Sequence, residues 1–279
     1  MPTRLAVFSV VDWSLATVQD WAARTGHQIA LVVTLPGTDR APGLRNIART
    51  GGDHVVMVVP TVGECTATLA DLNVDLGIVF SFPPVPEGVA NLPRRGMVNL
   101  HPSLLPAYRG TNGFRALFEG EPRLGATLHY LTPELDGGPI LAQESEPTPQ
   151  DVQPSTALEA LQRAAGGVLE AGVPRALSGE PGEPQDATLA TDAPRFGEHE
   201  AVLDLTLTTH LFQCRMSALA LAGIQPWVTI GEERRPLRAA RHLGGLAADG
   251  PGVVALTSRR AVVAAADGVL ELELGELPF

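Results

Sequence analysis

The chain has 279 residues, 44% of them hydrophobic and 18% charged, with a formal net charge of −11. That composition supports a large globular core, and the excess of acid argues against the broad positive field on which nucleic-acid binding depends. Cys65 and Cys214 are too few and too far apart for a disulfide framework or a zinc site. With no secretion-type N-terminus and no apolar run of membrane-spanning length, the expectation is a soluble, cytoplasmic protein.

Residues 4–11 (RLAVFSVV) are apolar and β-rich. Residues 14–25 read as a helix, with Ser14 as its cap and Gly26 as its end. Apolar strands are expected at 29–35, 54–60, 74–82 and 96–100, with helical sequence near 62–72. Short apolar strands alternating with helices imply βαβ units. The fold class is therefore α/β: a Rossmann-like, mostly parallel sheet covered on both faces. A helix over 112–119 and strands at 125–132 and 139–147 follow, the two strands able to pair through the turn at 133–138. Residues 155–178 predict a long amphipathic helix, because Leu158, Leu161, Ala165 and Leu169 recur at helical spacing. Pro, Gly and acids without periodicity over 178–196 read as a linker. Residues 204–220 are helical in pattern, and PWVTI, RPLRAARHL, GVVALTS, RAVVAAA and VLELELG form short strands of a small β-rich, barrel-like domain. The expected division is a domain over 1–180, a linker over 181–199 and a second domain over 200–279.

One stretch, MVNLHPSLLPAYRG at 97–110, carries chemistry. Residues i and i+2 of a strand face the same way, so Asn99 and His101 project together while Leu100 faces the opposite side. Pro102 has no amide hydrogen and ends the strand. The polar pair then sits at the carboxyl edge of a parallel sheet, where ligands bind in open α/β folds. A second stretch, TPELDGGPILAQ at 132–143, places Asp136 in a Gly-rich turn, which is equally the sequence of a simple hairpin.

NLHPSLLPAYRG followed by LDGGPI resembles the formyltransferase family that uses 10-formyltetrahydrofolate, whose members formylate methionyl-tRNA, glycinamide ribonucleotide, amino sugars and hydroxyornithine. The resemblance covers roughly 1–180. It extends more weakly over 200–279, where AVLDLTL, CRMSALALAGIQPWVTI and DGVLELELGEL resemble the OB-like C-terminal barrel of the methionyl-tRNA type. It implies three catalytic residues. Asn99 donates to the formyl oxygen, His101 stabilises the oxyanion, and Asp136 orients and charges that imidazole and helps to take the proton from the amine. A carboxylate beside the ring is expected to hold it cationic at neutral pH. No metal is required, and 10-formyltetrahydrofolate is the co-substrate. By the same resemblance Phe82, Pro83, Pro84 and Val85, with Leu135 and the backbone around 132–136, form the pterin pocket; a plain Pro-rich connection is the alternative for the first four. Ser103 supports its loop. The acceptor side is lined by Tyr108, Arg109 and Asn112.

The methionyl-tRNA pattern is broken in places. Gly113 stands where that type has a proline, and FSVVDWS lacks the glycine that often follows the first strand. The segment 36–53, at the position of a tRNA-gripping loop, holds only Arg40, Arg45 and Arg49 against Asp39 and Asp53. Arg234, Arg235, Arg238 and Arg241 form the other basic cluster, equally suited to guarding a solvated edge. The expected acceptor is an amine of a small molecule or of a carrier-bound aminoacyl group, in secondary metabolism. Methionyl-tRNA is the alternative acceptor and tRNA the less expected partner; hydrolysis of the folate to formate is a further alternative, and a catalytically idle binding module the remaining one.

Overall fold

The structure, a computed structural model, describes residues 3–36, 54–244 and 250–276. The chain divides into two compact units, one built from 1–109, 125–145 and 161–192, the other from 110–124, 146–160 and 193–279.

The first unit is organised on a seven-stranded sheet. Its strands are β1 (Arg4–Phe8), β2 (Gln28–Thr34), β3 (Val55–Val58), β4 (Leu76–Phe80), β5 (Met97–His101), β6 (Arg123–Tyr130) and β7 (Ile140–Pro147), in the order β3-β2-β1-β4-β5-β6-β7. β1 through β5 pair in parallel, and β6 runs antiparallel to β5. The order reverses direction between β1 and β4, the switch point that opens a crevice at the carboxyl edge of such sheets. Helix α1 (Asp12–Thr25) buries Leu15, Val18, Trp21 and Ala22 and ends at Gly26, whose φ of 75° closes it. Ser14 is not its cap. The helix begins two residues earlier after Val11, and the Ser14 hydroxyl is buried, donating to Ser81 Oγ at 2.8 Å.

Shorter helices follow: α2 (Thr66–Asp71) after a 3-10 turn, α3 (Glu87–Ala90) and, in the second unit, α4 (Arg115–Phe118). The helix expected over 112–119 shrinks to α4 because Asn112 and Gly113 form a turn, Asn112 Oδ1 accepting from Phe114 N. Helix α5 (Pro154–Ser178) gives the first unit Ala164, Ala165, Val168, Leu169, Val173 and Ala176. These pack with Val98, Leu100, Ala126 and Leu128 on one face of the sheet. Ala6, Phe8, Leu31, Val33, Val79 and Met97 form the core of the other face.

In the second unit β8 (Val202–Leu203), β9 (Trp227–Ile230), β10 (Glu233–His242), β11 (Gly252–Leu256), β12 (Arg260–Ala264) and β13 (Val269–Leu274) form a sheet in the order β11-β12-β13-β10-β9-β8, curled into a half-barrel. Helix α6 (Thr209–Leu221) buries Phe212, Cys214, Met216 and Leu219. It starts at 209 rather than 204, because Asp204 accepts from Thr206 N in a turn and Thr208 then caps the helix at Leu211 N. The basic segment with Arg40, Arg45 and Arg49 lies outside the described residues.

Candidate active site

Strand alternation sets the site. Val98 and Leu100 of β5 face the α5 side of the sheet, so Asn99 and His101 face the other. The antiparallel register places His129 of β6 opposite Asn99 and Thr127 opposite His101. Side chains directly opposite share a face, so four polar residues form one patch continuous with an apolar core. Thr127 is fully buried and shapes the loop after β5. Its hydroxyl donates to Ser103 O at 2.7 Å and accepts from Leu105 N at 3.1 Å. Ser103 in turn donates to Ala107 O at 2.7 Å, the supporting role read for it in the sequence.

The loop between β6 and β7 brings Asp136 onto this patch. Its Oδ1 accepts from Asn99 Nδ2 at 3.1 Å, and its Oδ2 lies 3.5 Å from His101 Nδ1. Asn99 Nδ2 also lies 3.2 Å from His129 Nε2. His129 Nδ1 is 2.9 Å from the Tyr130 carbonyl, which only accepts, so Nδ1 carries the proton and Nε2 accepts from Asn99. The same reasoning puts a proton on His101 Nε2, 2.7 Å from Tyr108 O, and leaves Nδ1 facing the carboxylate. Both amide hydrogens of Asn99 are therefore aimed at protein acceptors. His101, Asp136 and His129 are 4%, 8% and 1% exposed.

Burial pushes the His101 imidazole below its usual range and outweighs the opposing pull of the Asp136 carboxylate and the Tyr108 carbonyl; His129 pushes further down. This reverses the expectation that the carboxylate keeps the ring cationic. The sequence shows the neighbour but not the depth of the site. A neutral Nε2–H ring presents the Nδ1 lone pair to Asp136, so the pair is arranged to take up one proton between them.

The backbone is strained where it holds these groups. Asp136 has φ of 50° and Tyr108 has φ of 62°, a region most L-residues avoid. Gly138 is required for a different reason: a Cβ there would sit 1.8 Å from the Tyr130 carbonyl oxygen. The loop crosses β6 closely enough that only glycine fits.

The remaining predicted residues fare differently. Phe82 and Val85 are half-buried against the apolar core with Leu131, Phe82 stacking edge-on to Phe8 at 5.6 Å between ring centroids. Pro83, Pro84 and Leu135 are exposed. Tyr108 meets His101 through its backbone carbonyl. Arg109 is turned inward, its guanidinium bonding Gln185 Oε1 and pairing with Glu134. Asn112 belongs to the second unit, where its side chain donates to Pro194 O at 2.8 Å. His129 was missed in the sequence. Its signal was the same spacing that marks Asn99 and His101, here Thr127 and His129 in GATLHYLT, but nothing in the sequence says which strand faces β5 or in what register. A cavity of about 330 Å³ in the second unit, lined by Asp151, Gln153, Arg241, Arg260, Glu271 and Glu273, contains none of the predicted residues. Among the described residues no cluster of His, Cys, Asp and Glu is placed to hold a metal, and no helix is long and apolar enough to cross a membrane.

A doubly wound sheet with an amide, imidazoles and a carboxylate gathered on one face after its fifth strand has the arrangement of an enzyme that handles a carbonyl group and a proton. The family model described as formyl transferase matches residues 61–171. A methionyl-tRNA formyltransferase of Rhodopirellula baltica is 35% identical over 63% of this chain, which spans only 56% of that protein. One of Alcanivorax borkumensis is 31% identical over 99% of this chain and 88% of its own length. The crystal structure of WlaRD, a sugar 3N-formyltransferase in the presence of dTDP and 5-N-formyl-THF, has the same fold, with a TM-score of 0.68 at 11% identity over 99% of this chain and 100% of that one. The chain belongs to the formyltransferase family, whose formyl donor is a formylated tetrahydrofolate.

Proposed function

We propose that this chain transfers a formyl group from 10-formyltetrahydrofolate to the amine of a small molecule or of a carrier-bound aminoacyl group, with Asn99, His101 and Asp136 as its catalytic residues. The observation that carries the reading is their convergence: an amide nitrogen and an imidazole from one strand, both within 3.5 Å of one carboxylate from a separate loop. The half-buried apolar surface of Phe82, Val85 and Leu131 beside the sheet's carboxyl edge suits a flat, weakly polar ring system, and these residues would hold the pterin. The folate supplies a formyl group on nitrogen, open to attack at carbon.

The chain's own residues do the rest. Attack turns the formyl oxygen into an oxyanion, and Asn99 turns an amide hydrogen toward it from its present acceptors. Donors aimed at such an oxygen are each worth about a hundred- to thousandfold in rate. Bond formation leaves the amine nitrogen positive. His101 and Asp136 take one proton from it and return one to the departing nitrogen as its bond to carbon breaks, so no net proton is consumed. Burial of the pair excludes water and strengthens both interactions.

The second reading, methionyl-tRNA as acceptor, is favoured by the near full-length likeness to the Alcanivorax enzyme. The arginines of the half-barrel support it poorly. Arg241 and Arg260 both pair with Glu271, Arg259 pairs with Glu276, and Arg235 donates to Ser258 O. The test follows release of tetrahydrofolate from 10-formyltetrahydrofolate with three probes: a dTDP-3-amino sugar, N5-hydroxyornithine and methionyl-tRNA. Turnover with a small amine, little affected by salt and abolished in His101→Ala, is the expected result. Turnover with methionyl-tRNA alone, falling steeply with salt, establishes the second reading, and formate release without any amine makes the protein a hydrolase.

A further inference from the structure

Within the segment read as a linker over 181–199, residues 183–191 are stapled to the first unit. Ile140 and Glu183 exchange two backbone hydrogen bonds of 2.8 Å each. Further along, Thr191 O accepts from Arg109 N at 2.8 Å, and Thr191 Oγ1 accepts from Tyr108 N at 2.9 Å. Between these staples the residues 186–189 are exposed, and Asp186 closes a turn by accepting from Thr188 N and Oγ1. Gln185 alone turns inward over 183–189, and it uses its whole amide. Nε2 donates to Asp136 O at 2.7 Å and to Gly138 O at 2.8 Å, while Oε1 accepts from Arg109 Nε at 3.1 Å and Nη2 at 2.8 Å.

These four bonds join two separate segments. Arg109 ends the loop whose Tyr108 carbonyl orients His101, and Asp136 is the carboxylate facing that ring. The two carbonyls held by Nε2 flank Gly137, and one belongs to Asp136, whose φ of 50° needs an outside restraint to persist. We infer that Gln185 is a positioning residue for formyl transfer, an amide clamp that sets the Asp136 carboxylate against His101, so that the working catalytic unit reaches into the segment after α5. This rests on the catalytic reading of the His101–Asp136 pair. Misplacing a catalytic group by about 1 Å costs about a hundredfold in rate, which makes such a clamp worth keeping on a strained loop.

The clamp is tested in the full chain without knowledge of the acceptor. Among the described residues, the charged or titratable groups facing His101 are Asp136 and His129; those facing Gln185 are Arg109 and, through it, Glu134. With 13C-labelled histidine, the titration of the His101 ring is followed by NMR, the resonance being assigned by its loss in His101→Asn. Asp136→Asn is the control: its midpoint falls because the carboxylate that favours the charged ring is gone. Gln185→Ala and Gln185→Met are then compared, with thermal melts to show that both fold. Met keeps the length of the side chain and loses both donors to the Asp136 loop without adding a charge. The expected result is a downward shift of the His101 midpoint in both variants. A wild-type midpoint in either variant overturns the clamp. No shift in Asp136→Asn overturns the catalytic pair instead.

Discussion

Two adjacent glycines offer a sharp test of how the Asp136 loop is held. Neither Gly137 nor Gly138 has a positive φ, so alanine is conformationally acceptable at both, and only space decides. At Gly138 a Cβ would lie 1.8 Å from the Tyr130 carbonyl oxygen and 2.9 Å from its carbon. Both are backbone atoms of β6, and Tyr130 N is itself bonded to Pro139 O at 3.0 Å, so neither partner can rotate away. Reaching even a tight contact of 3.0 Å demands a shift of about 1 Å or more in a segment that begins two residues from Asp136. Overpacking of this kind costs about 1–3 kcal/mol, with each kcal/mol lowering Tm by about 2–4 °C in a chain of around this size. The catalytic cost is of the same order: about a hundredfold, or about 2.7 kcal/mol, for a displacement of about 1 Å. At Gly137 the atoms nearest to a Cβ all belong to the Glu134 side chain, whose Cδ and Oε2 lie 2.4 and 2.5 Å away and which is 66% exposed. That carboxylate can swing aside, at the cost of an ion pair with Arg109 worth about 1 kcal/mol or less. Thermal melts and tetrahydrofolate release, run on both variants, should show Gly138→Ala about a hundredfold slower and less stable and Gly137→Ala close to the parent. Equal damage in the two variants, or full turnover in Gly138→Ala, would show that the loop is not held by this close crossing.

Other consequences can be measured alongside it. Asp136→Asn keeps the size of the side chain and removes the charge 3.5 Å from His101 Nδ1; kcat should fall by about a hundred- to thousandfold or more with the melting curve little changed. His129→Leu removes the acceptor of one Asn99 hydrogen and leaves the Tyr130 carbonyl without its imidazole donor, a loss of about 1–3 kcal/mol measurable by urea unfolding, together with reduced turnover. Because burial lowers the His101 pKa, the unfolded chain binds more protons there than the native one between the native value and 6.5. Stability at this site therefore rises with pH through that window and declines as pH drops below 6.5, and urea midpoints at pH 7.5 and 5.5 should differ less in His101→Asn than in the parent. Burial also raises the Cys65 thiol and pushes that of Cys214 to about 12, with both side chains fully buried, so a thiol reagent at pH 8 should find no reactive cysteine until denaturant exposes both.

The order of strands and helices was legible because each element announces itself locally. Apolar runs such as VDLGIVFSF and IALVVTL need no partner to be recognised as buried strands, and Gly26 marks a helix end wherever the helix packs. Boundaries erred where a local hydrogen bond competes with periodicity: Ser14 looks like a cap but faces Ser81, and Asn112 forms a turn where helical pattern continues. Asn99 and His101 were legible by the same local logic, two residues apart on one strand with a proline closing it.

What escaped the sequence are the relations between segments. Asp136 sits in a turn indistinguishable from a hairpin until the loop is seen to fold back across β6, which Gly138 alone permits. His129 carries the same alternation signal as His101, yet its role depends on a register between β5 and β6 that no spacing encodes. The neutral state preferred by His101 depends on the sum of everything packed around it, and burial there wins over a carboxylate that the sequence does reveal. Composition says least about 183–191, the part of the segment read as a linker over 181–199 that packs on the first unit. Proline, glycine and acids lower the intrinsic order of a segment, but order is decided by the partners it finds, and this one finds Ile140, Arg109 and the carbonyl of Asp136 itself. The strained loop that carries Asp136 is held from outside its own hairpin, and a segment with no periodicity of its own is free to follow the contour of such a loop. A composition that reads as absence of structure is thus compatible with a segment that lays Gln185 across the loop after β5 and the loop between β6 and β7 at once.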